Sequence, residues 1–190
     1  VNTKYIRRLP VKGGHTMIQV DKNAQNCIIL YGGTNQMQTK EFVDEVLADF
    51  GEGDYLILQN EINMVGEIIR LSHEKGCRVV FNASPIPKNP EELPLELVDI
   101  FMVNELEAAA LAGTSTEGDF RDILKALQKK YPKAAIVMTL GKEGVFYGYK
   151  EEFYSHPIFK VNAVDTTAAG DTFCGYFLAA LCAEKSVEMA

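Results

Sequence analysis

Four short, unbroken apolar runs constrain this chain more than any other feature. Tyr55-Leu56-Ile57-Leu58-Gln59, Arg78 to Asn82, residues 99–103 and residues 135–140 are each too short for a helix and carry no in/out alternation. That is the pattern of parallel strands buried on both faces. Between them the apolar residues recur at helical spacing. Phe42, Val43, Val46, Leu47 and Phe50 behind Thr39 predict a helix over residues 40–50. Ile62, Val65, Ile68, Ile69 and Leu71 predict a second helix, stopped by Gly76. A short helix over Glu105–Ala112 is closed by Gly113, and Phe120, Leu124, Leu127 and Tyr131 stripe a further one. Strand and helix in alternation require crossover connections, hence a three-layer α/β/α, mostly parallel sheet. Such sheets bind ligands beyond the carboxyl ends of their strands.

The margins read differently. Residues 1–31 look β-rich, with His15 to Val20 and Asn26 to Tyr31 flanking the polar turn Asp21-Lys22-Asn23-Ala24, an antiparallel hairpin. Pro85, Pro87, Pro90 and Pro94 forbid regular helix or central strand after Asn82. Beyond Gly141-Lys142-Glu143-Gly144 come two further strands, residues 145–149 and 153–159, expected antiparallel, then a small-residue loop leading into an apolar helix over residues 164–183.

Charge and composition exclude several functions. With 26 acidic against 19 basic side chains the net charge is -7, leaving no basic surplus for nucleic acid or an anionic membrane surface. No apolar run approaches the ~18–20 residues that span a bilayer. Cys27, Cys77, Cys174 and Cys182 form no CxxC pair and lie in apolar runs, as reduced core residues of a cytoplasmic protein do. His15, His73 and His156 lack metal-ligand spacing, and only His15, on the early hairpin, is placed to face a substrate.

Polar residues gather where the apolar runs end: Gln59-Asn60-Glu61, Asn82, Asn104-Glu105-Leu106-Glu107 and Thr139-Leu140-Gly141. The segment Asp165-Thr166-Thr167-Ala168-Ala169-Gly170-Asp171-Thr172-Phe173 adds small residues that let a ligand approach the backbone at a helix N-terminus, where unpaired N–H groups and the helix dipole favour an anion. A carboxylate there, Asp171, suits proton removal from a hydroxyl attacking a phosphate. The plainer alternative is that Asp165 or Thr167 caps a core helix and the small residues serve packing. No Gly-x-x-x-x-Gly-Lys-Ser/Thr loop is present, which argues against a P-loop enzyme.

The nine-residue segment resembles the signature of the ribokinase-like (PfkB) family of carbohydrate kinases, with the ribokinase branch most similar. Asn104-Glu105-Leu106-Glu107 resembles the family's Asn-Glu-x-Glu motif, and Thr139-Leu140-Gly141-Lys142-Glu143-Gly144 its Thr-x-Gly-x-x-Gly loop. The resemblance implies an ATP-dependent transfer of the γ-phosphoryl group to a sugar hydroxymethyl, with Asp171 as general base and Ala168, Ala169 and Gly170 as the anion hole. It implies nucleotide contacts from Asn104, Thr139, Gly141, Gly144 and Gly170, a sugar contact from Glu61, and Mg²⁺ organised indirectly by Glu107. Asp165 and Thr167 match positions that hold an activating K⁺. It further implies that residues 1–33 are part of a small β lid, residues 34–190 an incomplete nucleotide-binding and catalytic core, and the hairpin a homodimer surface. A kinase of fructose, 2-keto-3-deoxygluconate or a nucleoside, or an inactive nucleotide-binding fragment, are the alternatives. The family's early sugar-gripping segment and its last helices lie outside the resemblance, so the chain is expected to be the middle of a longer kinase.

Overall fold

The computed structural model describes residues 2–20, 26–161 and 168–190. The chain divides into two compact units, Val1–Val98 and Asp99–Ala190.

In the first unit, β1 (His15–Val20) and β2 (Asn26–Tyr31) pair antiparallel from His15↔Tyr31 to Val20↔Asn26; their connecting turn lies outside the described residues. Met17, Ile18, Ile28, Ile29 and Leu30 are each about half exposed, so both faces of this hairpin are open. Residues 2–14 are not strand. Pro10 and the Gly13-Gly14 pair deprive that stretch of ladder donors and of stiffness. It lies instead against α1 (Lys40–Leu47), where Lys4 and Tyr5 donate to Asp49, Arg7 pairs with Glu45, and the Arg7 guanidinium sits 4.3 Å from the Phe42 ring centre.

Thr39 caps α1 by accepting the Phe42 amide at 3.3 Å. The helix ends three residues before the expected Phe50, because Asp49 and Phe50 turn back on Val46 and Leu47 in tighter i→i+3 bonds and Phe50 is 42% exposed. Then β3 (Tyr55–Gln59) runs parallel to β4 (Arg78–Asn82), in register from Tyr55↔Arg78 to Gln59↔Asn82, with α2 (Val65–Glu74) between them. Val79, Val80 and Phe81 of β4 are fully buried, as the apolar run requires, but β3 is not covered on both faces: Ile57 is 51% exposed. Gly76, at φ +81, stops α2 as expected. The proline-rich stretch holds only two short 3-10 turns, Pro90–Glu92 and Leu95–Leu97.

In the second unit, β5 (Ile100–Asn104) and β6 (Ala135–Thr139) are parallel, and β7 (Val145–Tyr149) and β8 (Glu152–His156) extend the sheet antiparallel. β8 ends at His156, short of the expected Phe159, since Pro157 has no N–H for the ladder. Successive strand residues face opposite sides, and that alternation sets the layers. Phe101 meets Tyr131 (4.9 Å between ring centres) and Phe146 meets Phe120 (5.3 Å) on the side of α3 (Glu105–Ala112) and α4 (Phe120–Lys130). Met102, one residue on, meets Cys174 of α5 (Ala169–Cys182) on the other side. The three-layer expectation therefore holds within this unit. Among the described residues no helix is long and apolar enough to cross a membrane.

Candidate active site

At the start of α5 the capping position falls on Ala168, in the left-handed region at φ 58°, ψ 17°, with no side chain capping the helix among the described residues. Asp165 and Thr167, the alternative capping residues, lie outside the described residues. The helical ladder begins with the Thr172 amide donating to Ala168 O at 2.9 Å. The amides of Ala169, Gly170 and Asp171 precede that first ladder bond, and all three residues are exposed. A Cβ added at Gly170 would meet nothing within 4 Å. This exposed turn presents amide dipoles and the positive end of a 14-residue helix, with Asp171 as its third residue.

Two more predicted residues meet at the carboxyl ends of β5 and β6, where Asn104 and Thr139 are register partners. Thr139 Oγ1 donates to Val103 O at 3.5 Å. Asn104 also caps α3 in a reciprocal box: its Oδ1 accepts the Glu107 amide and Glu107 Oε2 accepts the Asn104 amide, both at 2.9 Å. Glu107 is buried while Asn104 and Glu105 are exposed. After Thr139 the chain closes a tight loop, with the Leu140 amide on Gly144 O at 2.8 Å and the Gly144 amide on Gly141 O at 3.3 Å. Gly141 (φ +53) and Gly144 (φ +106) both occupy backbone that favours glycine, and a Cβ on Gly144 would stand 2.0 Å from His156 O. The strand end His156-Pro157 is thus a wall of this loop, which the loop motif alone did not reveal.

Glu61 lies in the first unit, in the turn after β3 rather than in the first turn of a helix, and is exposed. Its carbonyl accepts from Gln36 Nε2 at 2.8 Å. Asn60 is tied to the end of β4 through Ser84 O (3.0 Å) and Pro85 O (3.0 Å). His15 packs on the Tyr31 ring, 4.8 Å between centres.

The cysteines divide. Cys77 and Cys174 are buried as expected, whereas Cys27 and Cys182 are exposed. A cavity of about 540 Å³ in the second unit, lined by Tyr147, Tyr154, His156, Phe159, Phe173 and Phe177 among others, was not foreseen from the sequence. Its signal there was the density of aromatics between Phe146 and Phe177.

Comparison with known proteins shows the family. Residues 1–190 match the model of the pfkB family carbohydrate kinases. The ribokinase of Staphylococcus aureus is 34% identical over 186 residues, 95% of this chain and 60% of that protein. The structure of a ribokinase from Thermotoga maritima superposes with a TM-score of 0.79 at 32% identity, over 96% of this chain and 61% of its own. That of Arabidopsis thaliana ribokinase, complexed with ribose and ATP, gives a TM-score of 0.73 at 28% identity, over 93% and 58%. The chain spans about 60% of the length of the curated relatives it matches.

Proposed function

Because the chain belongs to the pfkB family of carbohydrate kinases, we propose that it is the catalytic portion of an ATP-dependent sugar kinase of the ribokinase type, moving the γ-phosphoryl of ATP to a sugar hydroxymethyl group. The observation that carries the reading is the exposed first turn of α5, with no capping side chain among the described residues, open space over Gly170, and Asp171 within it. Asp171 accepts the proton of the attacking hydroxyl, and the amides of the turn, with Ala168, Ala169 and Gly170 lining it, stabilise charge on the transferring group. Asn104 and Thr139, paired at the strand ends, and the Gly141–Gly144 loop hold the nucleotide, and Glu61 serves the sugar. The ribose and ATP of the Arabidopsis relative make ribose the first acceptor to try.

The residues present fit a magnesium ion carried mainly by phosphates. Among the described residues no three His, Cys, Asp or Glu gather into a cage, and Mg²⁺ bound with nucleotide needs only one or two carboxylates, often through water. Glu107, buried in the capping box beside Asn104, is the acid we assign to that role. When bound, the ion neutralises charge on the phosphates. Asp165 and Thr167 are proposed K⁺ ligands. We also assign residues 1–33 to a lid, residues 34–190 to the core, the half-exposed apolar hairpin to a homodimer surface, and the protein to the cytoplasm.

Asp171→Asn in the intact protein should lower turnover by ~10²–10⁴ and leave ATP affinity nearly unchanged. Undiminished turnover, measured as ADP release over a panel of sugars and nucleosides, would remove Asp171 from the mechanism.

A further inference from the structure

Cys174 is the first buried residue of α5 counted from its N-terminus, at 8% exposure; Ala168 through Thr172 before it are exposed. Its Sγ donates to the thioether of Met102 at 3.2 Å, and Met102 is 4% exposed. Along the helix, Asp171 lies three residues upstream of this contact, ~4.5 Å at the helical rise. Along β5, Asn104 lies two residues downstream of Met102, ~6.6 Å at the strand rise. One contact between two buried sulfurs therefore joins the turn that carries Asp171 to the strand that ends in the capping box. The neighbouring aromatics of α5 offer less at this end: Phe173 and Phe177 stack on each other, 5.7 Å between ring centres, and face the 540 Å³ cavity.

We infer that Cys174 is a positioning residue, clasped to Met102 so that the first turn of α5 is held at a fixed distance from the carboxyl end of β5. The inference rests on the kinase reading for its consequence in turnover, though not for the clasp itself. Burial, and then the negative charge of Asp171, push the thiol above its ordinary value, so it stays protonated and keeps its donor at neutral pH. The clasp ties down a turn that has no side-chain cap among the described residues and starts on a left-handed alanine.

The test compares Cys174→Ala, Met102→Leu, their double variant and Cys174→Ser in the intact protein. Met102→Leu keeps the volume and removes the sulfur acceptor, so it serves even if the alanine variant folds poorly. Amide hydrogen exchange at Thr172, the first amide of the ladder, and at the two amides that follow it should accelerate at least ~10-fold relative to the Leu178 amide in both single variants. With ribose or whichever sugar is turned over, kcat should fall on the order of 10-fold with the KM for ATP held within about 2-fold, since sub-ångström to 1 Å misplacement of a reacting group costs up to ~10². The double variant should be no worse than the worse single, as coupled residues behave, and Cys174→Ser, which keeps a donor, should retain more turnover than Cys174→Ala. Unaltered exchange, or losses in the double that multiply, would overturn the clasp. A parent protein that turns over none of the sugars would refute the kinase reading instead, and exchange alone would then decide the clasp.

Discussion

Glu107 has one role in the structure and another in the proposed function, and a single substitution can separate them. Its Oε2 accepts the Asn104 amide at 2.9 Å, and it keeps 8% of its surface. Alanine here removes that acceptor and takes a negative charge from the first turn of α3. The net hydrogen bond is worth about 1 kcal/mol, and the charge at the helix N-terminus roughly 0.3–1 kcal/mol. Together, about 1.3–2 kcal/mol should lower the melting temperature of a chain this size by ~3–8 °C. Glutamine retains an oxygen that accepts the same bond and loses only the charge, so Glu107→Gln should cost roughly 0.3–1 kcal/mol, ~1–4 °C. If the carboxylate also serves magnesium and the nucleotide phosphates, a charge-assisted contact of about 1.5–3 kcal/mol disappears with it. Turnover of the glutamine variant then drops ~10- to 100-fold at fixed Mg²⁺ and recovers in part as Mg²⁺ is raised. Thermal melting and a Mg²⁺ titration of ADP release read the two effects separately. A glutamine variant with the parent's Mg²⁺ profile would refute the magnesium role and leave Glu107 a helix cap. One that melts as low as the alanine variant would refute the hydrogen bond as the source of the stability.

Gly170→Ala tests the anion hole against the fold: with open space at the Cβ position, alanine should stabilise α5 by roughly 0.5–1 kcal/mol and yet reduce turnover by crowding the phosphate, whereas unchanged turnover would argue against an anion there. Gly144→Ala, whose Cβ would stand 2.0 Å from His156 O at φ +106, should cost about 1–3 kcal/mol and raise the KM for ATP; a neutral effect on both would mean the loop relaxes. Ala168→Gly and Lys150→Gly relieve left-handed backbone at φ 58 and φ 54 and should each raise stability by roughly 0.5 kcal/mol, a melting loss in both counting against that conformation. The carboxyl of Asp119, the cap of α4, is held below its ordinary value chiefly by the Arg121 amide. Its contribution is complete above the unfolded-state value near ~4 and is lost as pH falls through the lower folded value, so Asp119→Asn should keep the cap while softening the acid limb of a stability–pH curve; an unchanged limb would contradict the assignment.

The parts legible in the sequence are those whose cause is local. The β4 run Val79-Val80-Phe81 is fully buried, and Gly76 and Gly113 stop their helices at positive φ, because apolar continuity and glycine's freedom act within a few residues. Ile57, 51% exposed, departs from the expectation of burial on both faces because coverage of a strand face depends on what packs there, which Tyr-Leu-Ile-Leu-Gln does not encode. Asn104 and Thr139 were found as polar ends of apolar runs, and parallel register brings them side by side. The spacing Asn104-x-x-Glu107 is itself a local capping-box signature. Ala168 was hidden for the opposite reason. Asp165 and Thr167 are better capping residues by propensity, and only the backbone shows the helix starting on an alanine at φ 58.

That alanine bears on how, in the proposed kinase, a chain of net charge -7 would hold a polyanion such as ATP. A side-chain cap would accept one of the first-turn amides and, were it an aspartate, would put a negative charge where a phosphate is to sit. An alanine in the left-handed region does neither, at a cost of roughly 1–2 kcal/mol of backbone strain. In the proposed function the dipole of α5 favours an anion there, and positive potential is supplied at one point rather than by surplus lysine and arginine over the surface. Among the described residues no side chain caps the turn, so the anchoring the structure shows for it comes from further along α5. The first place where α5 is buried is the thiol of Cys174 against Met102, which makes a helix start with no side-chain cap among the described residues and a buried sulfur contact two halves of one arrangement.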